Sequence, residues 1–484
     1  MRRHRFAFSA LPLVASLLLA GCINLTPELQ RPALPVPATL PGGADPSAPL
    51  ALPAWHDLVR DDRLRQVVER ALAANRDLRV AMLQVERSRA QLRITDADFL
   101  PTVSGALQYE RAPNSSGVQA TTVTGGLAVS SYELDLFGRI RSNSDAANAT
   151  LLGTEAGGRA ARLSLVTQVI TAWLTLAADE EQLTLARQTL ASREDTLKLT
   201  SLRAQVGAAS DLDLRAAQSL AAQAKATLAQ YQRLRNQDET ALSLAVGAPL
   251  PAQLLPGPAP LSTAATAANT ATMATGEWLA DVPAGASSEL LLARPDVIQA
   301  EQALRSANAN IGAARAAYFP KILLSGSFGG VTDSLSNLFD SATKAWTFTA
   351  QAALTLFDAG RNQANVKVAE VNRDIAVAQY EKAVQTAFKE AADALNGQGE
   401  WRRQVQAQQL LLDAERERTR LTRMKLEAGA ASQLELLDAE RSLATAEQSL
   451  VQARLSELLN RLALYKALGG EERMAPEQTA SAAK

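Results

Sequence analysis

Two periodicities alternate along this chain. Long stretches carry apolar residues at three-and-four spacing on a polar background, and four short stretches carry them at every second position. The first pattern predicts helices of unusual length. No proline falls between Pro113 and Pro249 or between Pro320 and Pro476, and proline costs about 3 kcal/mol inside a helix. From Arg141 to Val206 there are 66 such residues, which at about 1.5 Å each could span roughly 100 Å. A counterpart runs from Asn362 to about Ala428. Leu455, Leu458, Leu462 and Tyr465 form a coiled-coil seam, and Gln, Arg and Glu fill wet faces around it.

The second pattern predicts strands. Val103, Gly105, Leu107 and Tyr109 alternate with Ser104, Ala106, Gln108 and Glu110. Trp346, Phe348, Ala350, Ala352, Leu354 and Leu356 alternate with Thr347, Thr349, Gln351, Ala353 and Thr355. A further strand alternates from Val123 to Val129 and changes phase at Ser130-Ser131, as a bulge does. Strands of about 10 residues suit a tilted transmembrane β-strand. A half-buried soluble sheet has the same period, so periodicity does not separate the two.

The chain is also duplicated. Gly-Ala-Ala-Ser-Asp-Leu-Asp-Leu at 207–214 returns as Gly-Ala-Ala-Ser-Gln-Leu-Glu-Leu at 429–436, with six of eight residues identical and 222 positions between them. Gly207 and Gly429 stand where a left-handed glycine ends a helix. Ser210 with Asp213, and Ser432 with Glu435, have the spacing of a capping box opening the next one. Each copy is the tip of an antiparallel helical hairpin. Leu134-Asp135-Leu136-Phe137-Gly138-Arg139 answers Leu354-Thr355-Leu356-Phe357-Asp358-Ala359-Gly360-Arg361, and Val246-Gly247 answers Leu468-Gly469.

The expected organisation follows. Residues 1–21 are a signal peptide and 22–56 an extended Pro/Leu-rich arm. Repeat 1 covers 57–247, with a helix, a strand hairpin at 102–136 and a helical hairpin tipped at 207–210. A strap at 248–288 leads to repeat 2 at 289–469, with a strand hairpin at 321–357 and a tip at 429–432. The tail at 470–484 is expected to be disordered.

At the N-terminus Arg2, Arg3 and Arg5 precede the apolar run Phe6–Ala20, which ends in Leu19-Ala20-Gly21-Cys22. That tetrapeptide resembles the bacterial lipoprotein signal, in which the cysteine is acylated; the alternative is an ordinary secretory signal with an incidental Cys22. As Cys22 is the sole cysteine, no disulfide forms within the chain. Loss of the three signal arginines leaves 46 basic against 50 acidic residues, with no basic cluster, so no nucleic-acid partner is expected. Leu163 to Ala178 is uncharged but, at 16 residues, short of the roughly 20 that span a bilayer. It reads as a buried helix face.

An enzyme is not expected, nor any cofactor or metal site. Of two histidines, His4 lies in the signal and His56 stands alone, and no Cys/His metal set, nucleophile elbow or phosphate loop is present. Asp179-Glu180-Glu181 reads as a solvated helix face.

Four strands cannot close a membrane barrel, since single-chain barrels need at least about 8, and lipid forbids an open sheet edge. Membrane strands here require several chains. Two copies give 8 strands and three give 12, and the larger number leaves room for a polar lumen.

The lipobox, the duplicated order of strand pair and helical hairpin, Leu-x-Leu-Phe-x-x-Gly-Arg before the long helix, and Gly-x-x-Ser-x-Leu-x-Leu-Leu-Asp-Ala at the second tip carry a resemblance. The mature chain resembles the outer membrane factor family, the TolC- and OprM-type exit ducts, and more narrowly its lipoprotein branch serving resistance-nodulation-division (RND) efflux pumps. The resemblance implies a mainly α fold with a small β part. In it a homotrimer forms a 12-stranded outer membrane β-barrel, four strands per chain, continued by a periplasmic α-helical coiled-coil barrel. It implies a passive efflux duct with a periplasmic adaptor and an inner-membrane RND pump as partners, and outer membrane lipid around the barrel. A type I protein secretion duct and, further off, a structural coiled-coil surface lipoprotein are the alternatives.

The resemblance also implies a periplasmic gate at Leu434 and Asp438, one helical turn apart on one face. Threefold symmetry would gather three Asp438 carboxylates around one axis, where they attract cations and raise one another's pKa. Leu212 and Ala216 stand at the equivalent places of repeat 1, so the acid ring comes from one repeat. The alternative is that Leu434 packs the hairpin and Asp438 is a solvated helix residue. Gly207, Ala208, Ser210, Gly429, Ala430 and Ser432 are expected to meet the adaptor at the tips, or else only to end and begin helices.

Overall fold

The sequence order of helix, strand pair and helical hairpin occurs twice in the computed structural model. It describes residues 24–41, 52–113, 115, 117–257, 278–283, 287–338, 340 and 343–472. The signal, Cys22 and the tail beyond Glu472 lie outside the described residues, whereas Gly470–Glu472, expected to belong to a disordered tail, form an ordered turn in which Glu471 N donates to Tyr465 OH at 3.2 Å. The first half has α1 (Asp62–Ala74), α2 (Arg76–Ala97), β1 (Val103–Pro113), β2 (Gln119–Leu134), α3 (Arg139–Gln205) and α4 (Asp211–Val246). The second has α5 (Pro295–Ala316), β3 (Lys321–Thr332), β4 (Lys344–Ala353), α6 (Arg361–Glu427) and α7 (Gln433–Ala467). Both α3 and α6 have 67 residues. The chain divides into two compact units that cut across the halves, each taking part of both.

One unit comprises the chain up to Ala33, Leu83–Ala156 and Ile298–Lys382. Its centre is a single antiparallel sheet in the order β1-β2-β3-β4. The register sorts every side chain. Leu107 pairs with Gly125, Leu127 with Phe328 and Phe328 with Trp346, so one face carries Leu107, Tyr109, Leu127, Phe328, Trp346 and Phe348. The opposite face carries Ser104, Gln108, Thr124, Ser327, Thr347 and Gln351. On it Ser327 Oγ and Thr347 Oγ1 lie 2.7 Å apart. The apolar face is exposed, with Trp346 at 74 %. The phase change falls where the alternation breaks. Pairing jumps from Val129–Gly326 to Tyr132–Leu324, with Ser131 at φ 58°.

The sheet bends at a facing pair of glycines. Gly126 and Gly329 oppose each other across β2 and β3, while Gly125 and Gly330 beside them project from the apolar face and leave room there for the buried Leu338 of the β3–β4 loop. A Cβ on Gly126 would stand 2.5 Å from Gly329 Cα, and one on Gly329 would stand 2.7 Å from Gly126 Cα. Both carbons would project from the polar face, which is therefore the concave one. The fourth strand ends at Ala353, short of the alternation expected through Leu356. The reason is a cap: Asp358 accepts hydrogen bonds from Gly360 N (2.9 Å) and Asn362 N (2.8 Å), which turns the chain into α6. In the first half Asp135 accepts from Arg141 N at 2.9 Å in the same way. The N-terminal arm lies along α5: Asn308 Nδ2 donates to Pro27 O (2.8 Å) and Arg31 Nη2 to Glu301 (2.6 Å).

The other unit comprises Leu34–Met82, Gly157–Val297 and Ala383–Lys484. Here each half is tied back on itself by equivalent side chains. Asn75 Nδ2 donates to Ala245 O (2.7 Å) near the end of α4, and Arg294 Nη1 donates to Ala467 O (2.8 Å) at the end of α7. Arg294 also bonds Asp296 and Glu390, both at 2.7 Å. Burial opposes the Asp296 charge, yet the hydrogen bonds and charge of Arg294 outweigh it and hold its pKa below the usual range. Trp173 anchors the strap: its Nε1 donates to Leu254 O (3.2 Å), and Trp278 meets its ring edge-on at 5.2 Å. Among the described residues, the one helical stretch apolar and long enough to cross a membrane lies in α3. Ile170, Trp173, Leu174 and Leu176 within it are buried by the chain itself, which makes it core.

The acids at 179–181 are not a solvated face. Glu181 is buried, Glu180 pairs with Arg235 at 2.6 Å, and Asp179 faces Asp238 of α4. Burial, then the charge and hydrogen bond of Asp238, raise the Asp179 pKa from 3.8 to about 7.

Two outcomes follow. Gly126→Val should abolish heat-resistant oligomers on denaturing gels. Gly105→Val should retain them, because its added carbon would meet nothing within 4 Å. Between pH 4 and 7 the folded chain keeps a proton on Asp179 that the unfolded chain has released, so stability falls as pH rises through that window. Asp179→Asn should flatten that fall, read as the difference in thermal unfolding between pH 5 and pH 8.

Candidate functional site at the hairpin tips

The two tips are built alike. Gly207 (φ 73°) and Gly429 (φ 71°) take the left-handed conformation that ends α3 and α6. The chain then closes in the same way twice: Ala208 N donates to Arg203 O and Ala430 N to Lys425 O, both at 2.8 Å. A Cβ on either glycine would meet nothing within 4 Å, so these positions need glycine for its backbone and not for space. Ser210 and Ser432 then cap α4 and α7. Asp213 N donates to Ser210 Oγ (3.1 Å), and Ser210 N returns a bond to Asp213 (3.2 Å). Glu435 N and Ser432 N exchange the same pair at 3.2 and 3.3 Å. The Ser210 bonds hold the Asp213 pKa below its ordinary value. Both tips are exposed.

Leu434 and Asp438 lie on α7 just past the second tip. Leu434 is 67 % exposed, so it does not pack the hairpin; Leu436 and Leu437 do that, and both are buried. Leu212, its counterpart, is also exposed. Asp438 is half exposed but not bare. Its Oδ1 accepts from Arg441 Nη2 at 2.5 Å, and its Oδ2 accepts from Arg418 Nη2 of α6 at 3.2 Å. Arg418 also reaches Ser442 Oγ (3.3 Å) and Glu415 (3.4 Å).

A second tier follows immediately. Thr419 Oγ1 donates to Ala439 O (3.2 Å), and Glu440 takes Arg423 of α6 at 3.1 Å and Arg193 of α3 at 2.9 Å. Burial, assisted by the charge of Arg441, pushes the Arg193 pKa down against the pull of Glu440. Asp438 and Glu440 thus link α7 to both other long helices. Sequence reasoning found Asp438 and missed Arg418, Arg441, Arg193 and Glu440. The one-turn spacing of Asp438 and Arg441 was a legible signal. So was symmetry about the tip for Arg418, which lies 11 residues before Gly429 while Asp438 lies 9 after it.

Among the described residues no cluster of His, Cys, Asp or Glu could hold a metal ion. What the chain offers is a curved sheet with an exposed apolar convex face, and two helical hairpins with capped tips and charged clasps. That is the subunit of an outer membrane channel. The chain belongs to the outer membrane efflux protein family, whose model matches residues 67–248 and 286–470. That family is one of channels and not a class of enzymes. The chain is 38 % identical over 482 residues to the outer membrane protein OprJ of Pseudomonas aeruginosa, covering 97 % of both. It is 39 % identical over 472 residues to the toluene efflux pump outer membrane protein TtgC of Pseudomonas putida, covering 94 % of both. Among solved structures, the open state of the MtrE outer membrane channel of Neisseria gonorrhoeae superposes with a TM-score of 0.83 at 35 % identity, over 93 % of this chain and 99 % of that one. A membrane protein of Pseudomonas aeruginosa gives 0.83 at 36 %, over 92 % and 100 %.

Proposed function

We propose that this protein is the outer membrane component of a tripartite efflux system. Three copies pair their sheets edge to edge into one 12-stranded barrel, and their helices line a passage through the periplasm. The observation that carries this reading is the sheet itself: among the described residues it has four strands and both edges unpaired, apolar on the convex face and polar on the concave one. Relatives are named for toluene and antibiotic efflux, so the cargo is taken to be small toxic compounds rather than secreted proteins. The duct is passive and catalyses no reaction. A periplasmic adaptor meets the exposed tips at Gly207, Ala208, Ser210, Gly429, Ala430 and Ser432, and an inner-membrane RND pump supplies the cargo. Cys22 carries the lipid anchor that leads the arm.

Leu434 and Asp438 form the periplasmic gate in this reading. Leu434, unpacked within its own chain, supplies a ring of apolar side chains that water wets poorly. Asp438 acts through its clasp. With Arg418 and Arg441 on its two oxygens it holds α7 to α6 and is no bare acid, so mutual repulsion of three carboxylates is offset within each chain. Opening must break or rotate these bonds. Asp438→Ala leaves both guanidinium groups without that acceptor and is expected to raise basal conductance in planar bilayers. Cells carrying it should become sensitive to large antibiotics entering from outside. Unchanged conductance would remove the gate assignment and leave the fold untouched.

A further inference from the structure

The sheet register separates opposite charges at the loop end of the barrel. Arg111 pairs with Thr121 and Lys344 with Gly330, which puts both on the apolar convex face with Leu107, Phe328 and Trp346. Glu110, the neighbour of Arg111, pairs with Thr122 and belongs to the concave polar face. Both basic side chains are exposed, and among the described residues neither has an ion-pair partner. The remaining acids at this end, Asp333 and Asp340 of the β3–β4 loop, pair with neither.

A cation on a lipid-facing surface costs about 2–4 kcal/mol at the bilayer midplane and nearly nothing at the interface. Their depth can be read from β3. All four strands join their helices at one end, so depth is counted from Ile322. Gly330, opposite Lys344, is eight steps on; at about 3.4 Å per residue and a tilt near 40° that is roughly 21 Å. Arg111 lies two steps beyond Tyr109, whose row runs through Val123 to Thr332, ten steps from Ile322. Because the strands are tilted, successive strands differ in depth by roughly 3 Å along such a row, and both cations fall in the outer part of the sheet, toward the loop end of an apolar band of about 25 Å. They also sit on the two edge strands. Where β1 of one copy meets β4 of the next, the two cations stand on the same face of one seam.

We propose that Arg111 and Lys344 bind the phosphate groups of outer-leaflet lipids at each subunit seam. This rests on the trimeric barrel reading. Two unpaired cations on an apolar wall at headgroup depth complement a lipid that is anionic at its head and apolar below it. The contact would also reinforce the seam, because a single headgroup spans both subunits.

The test is lipid binding to the purified full-length trimer, followed by native mass spectrometry with diphosphorylated lipid A and with the same lipid stripped of its phosphates. Wild type should bind the phosphorylated form more tightly. Arg111→Gln with Lys344→Gln should weaken that binding about fivefold per residue, as about 1 kcal/mol per cation implies, and leave the dephosphorylated lipid unaffected. Equal binding of both lipids by wild type, or an unchanged double variant, would overturn the proposal. So would full competition by inorganic phosphate, which would mark a free-anion site. A wild-type protein that is not trimeric would instead overturn the barrel reading, so the two failures are distinguishable.

Discussion

Unpaired backbone groups along the outer edges of β1 and β4 are the constraint from which the rest of this fold follows. In hydrocarbon each unsatisfied N–H or C=O costs several kcal/mol, so a four-stranded sheet cannot end in lipid. Among the described residues no further strand pairs with these edges, and neither is short; β1 has 11 residues and β4 has 10. Satisfaction must come from further copies. Once the sheet closes on copies of itself, its apolar face has lipid to meet and its polar face encloses water. The bend at Gly126 and Gly329 supplies the curvature that closure needs, with the polar face inside.

The helical part answers a different demand. A duct wall must be long without a thick core, and the sequence meets this with duplicated hairpins whose seams are Leu and Ala and whose ends are tied by specific bonds. Asn75 on Ala245 and Arg294 on Ala467 fasten the end of each hairpin to the start of its own half. At the tips the chain relies on glycines in the left-handed conformation and two capping boxes, which are local and independent of assembly. Between these fixed points Asp438 and Glu440 are held by arginines from α6 and α3. The Asp438 pairs are half exposed, modest in strength and easily exchanged, which suits the proposed gate, whereas the Arg193–Glu440 pair is buried and costly to part.

Much of this was legible in the sequence because the governing periods are local. Alternation gave the strands, including the bulge at Ser130-Ser131, and the duplicated Gly-Ala-Ala-Ser gave both tips with their caps. The failures share a cause. Asp179-Glu180-Glu181 read as a wet face because a single helix does not reveal what faces it; Asp238 and Arg235 come from a neighbouring helix far along the chain. The clasp around Asp438 was missed for the same reason, apart from Arg441, whose one-turn spacing was there to be used. The end of β4 at Ala353 was overrun because Leu354 and Leu356 keep the alternation, while the cap at Asp358 decides where the chain turns. Gly126 and Gly329 look like weak strand residues until the register sets them opposite each other.

Closure of one barrel by three copies through β1 and β4 is tested most directly by cross-linking those edges. Leu107→Cys of β1 can be combined in turn with Trp346→Cys, Phe348→Cys and Ala350→Cys of β4, all on the same face of the sheet. Oxidation in the membrane should give, for at least one pairing, a ladder of monomer, dimer and trimer that stops at trimer, because the ring is then complete. A ladder that runs beyond trimer, or no cross-link at any pairing, would contradict it.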